Sequence, residues 1–269
     1  MSADSDAVVA RLRLAGSVFA EDEAALLREA AGDDPAALDA LVDRRAAGEA
    51  IEHLVGWVAF DGMRLAVAPG VFVPRQRSRR IATATARLAA ESAAGGRDPV
   101  VVELCCGVAP IAAAVARRVP TARVHVADVD PAAVAVAVAN LPPTATAHVG
   151  PGFAALPSAL RGRIDVAAAV APYVPDGASD LLPHGTLDQE PPSALLGGAD
   201  GLDVVRVLLA EAGDWLAPGG RLLLELGRGQ RTPAAAAARS AGLLVRRRAV
   251  AADGQTALLD VARGRGADW

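Results

Sequence analysis

The chain has 269 residues, 52% of them apolar but only 3% aromatic, so Ala, Val and Leu must fill its core by close packing of small side chains. Its formal net charge is -4, every basic residue is an arginine, and no basic block stands out beyond Arg75–Arg80 and Arg246–Arg248. That balance excludes a broad nucleic-acid groove and leaves a protein or a small molecule as the expected partner.

The N-terminal stretch 1–13 has no apolar signal core, and no later run is long and apolar enough for a membrane span, so the expected location is cytoplasmic. Residues 5–50 read as helices, with Val8, Val9, Leu12 and Leu14 opening one apolar periodicity and Ala24, Leu26 and Leu27 another. Asp34-Pro35 provides a cap and first turn for a third helix that carries Leu38, Leu41 and Val42. Residues 57–67 then read as a β-hairpin around Asp61-Gly62, ended by Pro69-Gly70. Residues 71–75 lead into a helix near 78–92.

From Val100 strands and helices alternate. Strands are expected at 100–104, 123–128, 145–149, 164–170 and 221–226, with helices at 110–118, 131–140, 202–216 and 232–241 between and after them. A Pro/Gly-rich loop spans 171–201, and 243–250 can pair with 256–262 as a terminal antiparallel hairpin. This alternation implies a mainly parallel sheet with helices on both faces. The expected division is a helical bundle at 1–53, a hairpin linker at 54–75 and an α/β domain at 76–269.

The first parallel strand runs into Glu103-Leu104-Cys105-Cys106-Gly107-Val108-Ala109-Pro110, a small-residue turn that opens a helix. Ligands of open α/β sheets sit beyond such strand ends, where small residues let the backbone come close. Glu103 can receive an ammonium group, and Asp128, at the end of the second strand beside Val129, can accept both hydroxyls of a ribose. Adjacent Cys105 and Cys106 cannot easily bridge each other and read as packing residues rather than nucleophiles. Four scattered histidines give no metal set. His184, in the long loop, is either a substrate-side base or a solvated histidine.

Several stretches in one order carry a family resemblance. They are Gly48–Gly56, Pro69–Arg75, Glu103–Ala109, Glu190-Pro191, Gly197–Asp203, Ala217–Gly220 and Leu223-Leu224-Glu225. Together they resemble the HemK family of class I methyltransferases, which includes the release-factor glutamine methyltransferases. The resemblance implies a Rossmann-like domain with a seven-stranded sheet, preceded by a small helical domain and a hairpin. It implies S-adenosyl-L-methionine as cofactor, held by Glu103, Cys105–Ala109, Asp128, Val129, Gly152, Phe153 and Val170. It places a substrate near Phe72, Pro74, Arg75, Tyr173 and Glu190, and a catalytic tetrapeptide Asn-Pro-Pro-Tyr after the fourth strand.

Here the tetrapeptide is Val170-Ala171-Pro172-Tyr173. Valine has neither donor nor acceptor, so the amide grip of the family's asparagine is gone. Cys105 and Ala109 stand where the family's loop has glycines, Pro151 where it has an aspartate, and Gly152 where some members have an aromatic. The expected activity is therefore methyl transfer to a nitrogen of a protein glutamine, as in a release factor, or of a small molecule. The alternative is a non-catalytic protein that kept the cofactor site. Methylation of DNA is disfavoured by the acidic balance.

Overall fold

The computed structural model describes residues 3–181, 189–250 and 254–264. Helices α1 (Ala3–Leu14), α2 (Ala20–Ala31), α3 (Pro35–Ala46) and α4 (Ile51–Val55) open the chain. They bury a core of their own around Leu12, Ala24, Leu27, Val42 and Leu54. The Asp34 carboxylate accepts the amide hydrogens of Ala36 and Ala37, so the Asp-Pro start of α3 works as a cap. Leu14 departs from the expected apolar stripe and is 90% exposed. It lies about 200° around the helix from Leu12, on the far side of the stripe.

Strands β1 (Trp57–Phe60) and β2 (Met63–Ala66) pair around the predicted turn, with Phe60 facing Met63. Asp61 (φ 53°) and Gly62 (φ 74°) are both left-handed, the backbone that the natural twist of a two-residue hairpin demands. After a short 3₁₀ turn at Gln76–Ser78 come α5 (Arg79–Ala93), β3 (Val100–Leu104), α6 (Pro110–Arg118), β4 (Arg123–Asp128), α7 (Pro131–Ala139) and β5 (Thr146–Val149). The chain continues through β6 (Ile164–Ala169), a one-turn α8 (Pro192–Leu195), α9 (Asp203–Trp215), β7 (Leu216–Gly227), α10 (Arg231–Ser240), β8 (Leu243–Val250) and β9 (Thr256–Arg263).

These strands form one seven-stranded sheet in the order β5-β4-β3-β6-β7-β9-β8. The pairs from β5 to β7 are parallel, whereas β9 is antiparallel to both β7 and β8. One face packs on α5 and α6 with the hairpin's Val58, Phe60 and Leu65. The other packs on α9 and α10 through residues such as Leu104, Ala169, Leu208 and Leu224. β7 starts five residues earlier than Arg221, because Pro218-Gly219-Gly220 bulges within the strand instead of preceding it. Gly220 is required there, since a Cβ would lie 2.5 Å from the Ile164 carbonyl oxygen.

Strand order reverses at β3, which lies between β4 and β6, and a crevice opens beyond the carboxyl ends of β3 and β6. The hairpin is tied to one wall of that crevice. The Asn140 side chain accepts the Ala66 amide hydrogen and donates to the carbonyls of Ala66 and Val108. The Asp61 carboxylate is buried against the guanidinium of Arg118, with Arg117 and Arg79 nearby.

The hydrogen bond from Arg118 holds the Asp61 carboxyl below the usual aspartate range, reinforced by the three positive charges. A depressed pKa stabilises the fold above the unfolded value, about 3.9, and that stability is lost as pH falls below it. Asp61→Asn keeps a residue that tolerates left-handed backbone but loses the ion pair. We expect it to lower unfolding stability by about 1–3 kcal/mol at pH 7. The difference from the wild type should shrink below about pH 4 in urea titrations across pH.

Candidate cofactor and acceptor site

A cleft of about 330 Å³ lies at the strand-order reversal, within the size range of small-molecule sites. Its floor is the turn after β3. Cys105 (φ 50°), Gly107 (φ 52°) and Ala109 (φ 61°) are all left-handed, which explains why glycine would suit each position. For Cys105 and Ala109 this conformation costs about 1–2 kcal/mol per residue, so neighbouring groups must hold the turn.

Two carboxylates hold it. Glu103, 3% exposed, accepts the amide hydrogens of Ile111 (3.2 Å) and Ala112 (2.6 Å) and so caps the start of α6. Burial pushes its pKa up to about 8, against those two hydrogen bonds. Asp128 accepts from the Gly107 amide (2.8 Å) through one oxygen and from Asp130 (3.0 Å) through the other. Both carboxylates line the cleft, as do Cys105, Cys106, Gly107, Val108 and Val129. The Cys105 thiol is pushed up to about 12 by burial and the nearby carboxylates, and Cys106 is shifted upward for the same reasons. Both remain neutral thiols that serve as small wall residues.

Two cofactor candidates are withdrawn from the cleft surface. Ala109 is fully buried in the core, and its contribution is the backbone it imposes on the turn. Phe153 does not fill an adenine pocket. It is fully buried on the other side of its own 3₁₀ turn (Gly152–Ala155) and stacks on Trp215 at 5.9 Å between ring centroids. The space over Gly152 is occupied instead by α9. A Cβ on Gly152 would meet the end of the Leu208 side chain at 2.9 Å and would sit on left-handed backbone (φ 48°), both of which favour glycine there.

The tetrapeptide leaves β6 and is held by its backbone. Val170 and Pro172 line the cleft, while Ala171 is buried behind them. The turn that follows α8 presses on it from outside. A Cβ on Gly197 would lie 2.4 Å from the Pro172 carbonyl oxygen, and one on Gly201 would lie 2.2 Å from that of Tyr173. Only glycine permits this approach, which accounts for the Gly197–Asp203 stretch. Gln230 locks the assembly: its side-chain amide donates to the carbonyls of Tyr173 (2.7 Å) and Asp200 (2.8 Å) and accepts from the Gly227 amide. The Tyr173 hydroxyl accepts from Arg77 at 2.8 Å, to the side of the cleft and not into it. Burial raises its pKa, so the phenol stays protonated.

Of the substrate-side candidates, Phe72 and Pro74 line the cleft. Arg75 and Glu190 face each other instead. Glu190, 5% exposed, accepts from Arg75 (2.5 Å) and from the Val73 amide (3.0 Å), and the Arg75 guanidinium lies 5.0 Å over the Phe72 ring. They form a clamp between residues 71–75 and the start of α8. Gln189 extends the clamp by accepting from the Ala50 amide and donating to the Gly48 carbonyl. His184 lies outside the described residues. Sequence reading missed Asn140, Gln189 and Gln230, since side-chain amides bonded to distant backbone leave no local pattern. Gln230→Ala would leave two inward carbonyls without donors. Its expected cost is about 2 kcal/mol, read from urea unfolding, with cofactor affinity lowered in parallel because the Pro172 wall loosens.

Comparison with known proteins agrees with this geometry. The chain is 38% identical over 188 residues to a 4-amino-L-phenylalanine/4-methylamino-L-phenylalanine methyltransferase of Streptomyces pristinaespiralis, spanning 69% of this chain and 64% of that enzyme. It is 36% identical over 202 residues to a release factor glutamine methyltransferase of Mycolicibacterium smegmatis, spanning 72% and 69%. No family model matches. In fold, the chain resembles a methyltransferase from Pyrococcus furiosus (TM-score 0.53, 19% identity, 76% of this chain and 90% of that one). It also resembles a ribosomal protein L11 methylase from Lactobacillus delbrueckii (TM-score 0.52, 13% identity, 74% and 84%). No described helix is long and apolar enough to cross a membrane. The chain belongs to the HemK family of class I methyltransferases, whose cofactor is S-adenosylmethionine.

Proposed function

We propose that this chain methylates the amino nitrogen of a small, largely apolar amine, with an aromatic amine as the best fit, and not a glutamine amide. The observation that carries this reading is Val170 on the cleft wall, where the family's asparagine stands. An amide nitrogen has a delocalised lone pair and needs polar groups that orient its hydrogens. Valine offers none. An aromatic amine keeps a more available lone pair and is neutral at pH 7, so it needs no base to strip a proton before attack.

The surroundings suit such an acceptor. Val71, Phe72, Pro74, Val170, Pro172 and Pro191 line that part of the cleft and exclude water without offering charge. Among the described residues, the carboxylates and the phenol near this wall are already engaged: Glu190 by Arg75 and Val73, Tyr173 by Arg77. The cofactor supplies an electrophilic methyl group on a sulfonium. The chain's part is to position the acceptor nitrogen in line with it, where alignment supplies most of the rate. The Streptomyces relative is named for an arylamine acceptor, which supports the same reading. A glutamine of a release factor is the second reading, favoured by the retained Pro172-Tyr173 and by the names of the other relatives.

The test is a methyl-transfer assay followed by mass spectrometry, offering 4-amino-L-phenylalanine, simple arylamines and a release factor bearing Gly-Gly-Gln. The expected result is one added methyl on an arylamine and none on the release factor; the reverse pattern overturns the proposal. Val170→Asn would set an unpaired amide against the apolar acceptor. It should lower kcat/KM for the arylamine about tenfold.

A further inference from the structure

Of the arginines at 75, 77, 79 and 80, two face carboxylates of their own. Arg75 is paired with Glu190, and Arg79 lies 3.9 Å from Asp61. Arg77 is less fully engaged. Its side chain is 39% exposed, and among the described residues its guanidinium makes one hydrogen bond, from Nη2 to the Tyr173 hydroxyl. Nη1 has no partner there, and Nε lies 3.8 Å from the buried Glu225, outside hydrogen-bond range. Arg80 shares a shallow notch with Arg77, Glu225 and Thr256, and its own bond, to the Val250 carbonyl, is 3.4 Å long. Two guanidiniums therefore stand against one carboxylate, and that carboxylate also accepts from Ser78. One positive charge is left unmatched at this spot among the described residues.

The Tyr173 hydroxyl has a hydrogen to spare. It accepts from Arg77, burial keeps it protonated, and its own hydrogen meets no acceptor among the described residues. Both groups stand at the edge of the acceptor end. Arg77 is next in the chain to Ser78 and Tyr173 to Pro172, and Ser78 and Pro172 line the cleft, so each lies about 3.8 Å along the backbone from its wall. The apolar wall can hold a ring but cannot fix where the substituents of that ring point. A group with negative charge and two acceptor oxygens would use the donors of Arg77 and Tyr173 together. A carboxylate is such a group.

We infer that Arg77, aided by the Tyr173 hydroxyl, anchors a carboxylate that the acceptor carries on a short carbon chain. This rests on the arylamine reading and narrows it: the substrate class is an arylamine with a free carboxylate, not a simple arylamine. Arg77 then sets which acceptors enter, while the methyl group is transferred elsewhere on the molecule.

The test compares 3-(4-aminophenyl)propanoic acid with its primary amide, which has the same shape without the charge, in a methyl-transfer assay read by mass spectrometry. The wild type should favour the acid about tenfold or more in kcat/KM, and through KM, because the tail takes no part in the reaction. Arg77→Met keeps the apolar stem and should abolish that preference. Arg77→Lys keeps the charge without the fork and should recover part of it. Tyr173→Phe should lower it severalfold. A purely structural role for Arg77 would slow both compounds alike and leave their ratio unchanged, so the ratio decides. If Arg77→Met keeps the wild-type ratio, or the wild type shows no preference, the anchor falls while the arylamine reading stands. If neither compound is methylated, the arylamine reading falls with it.

Discussion

The arrangement of the cleft depends on a short turn that its own side chains disfavour. Residues 105–109 place three residues in left-handed backbone, two of them with Cβ atoms. What stabilises the turn is carboxyl oxygens that accept backbone amide hydrogens: Asp128 reaches across from β4 to Gly107, and Glu103 reaches forward to the first turn of α6. Those bonds fix the distance between the ends of β3 and β4, and hence the width of the cleft. They also bring two carboxylates close together, where the charge of Asp128 adds to the cost of ionising Glu103.

A second constraint acts from the opposite wall. The tetrapeptide after β6 has its backbone gripped from behind. Gly197 and Gly201 come against the Pro172 and Tyr173 carbonyls, and Gln230 satisfies the latter. The grip is made on main-chain carbonyls and leaves the Val170 side chain on the cleft wall out of it.

Much of this was legible in the sequence because its causes are local. The Asp61-Gly62 turn, the Asp34-Pro35 and Asp130-Pro131 helix starts, and the alternation of apolar strands with Ala-rich helices depend on neighbours along the chain. The roles of Glu103 and Asp128 as cleft residues also follow from strand ends. Phe153 was placed wrongly because a 3₁₀ turn rotates successive side chains by about 120°, and nothing in the residue types says which of them faces inward. Arg75 and Glu190, 115 residues apart, looked like separate substrate contacts and prove to be each other's partner.

The clamp through Gln189 and Glu190 has an evolutionary consequence. It joins the end of the helical bundle, at Gly48 and Ala50, to the strip that carries Pro191 along the acceptor side. These hydrogen bonds connect the helices to the mouth of the cleft. Drift in a remote bundle with its own core can therefore retune which acceptors enter, leaving the methyl-donor half of the molecule untouched. A lineage could change its repertoire of acceptors without a single replacement among the residues that face them.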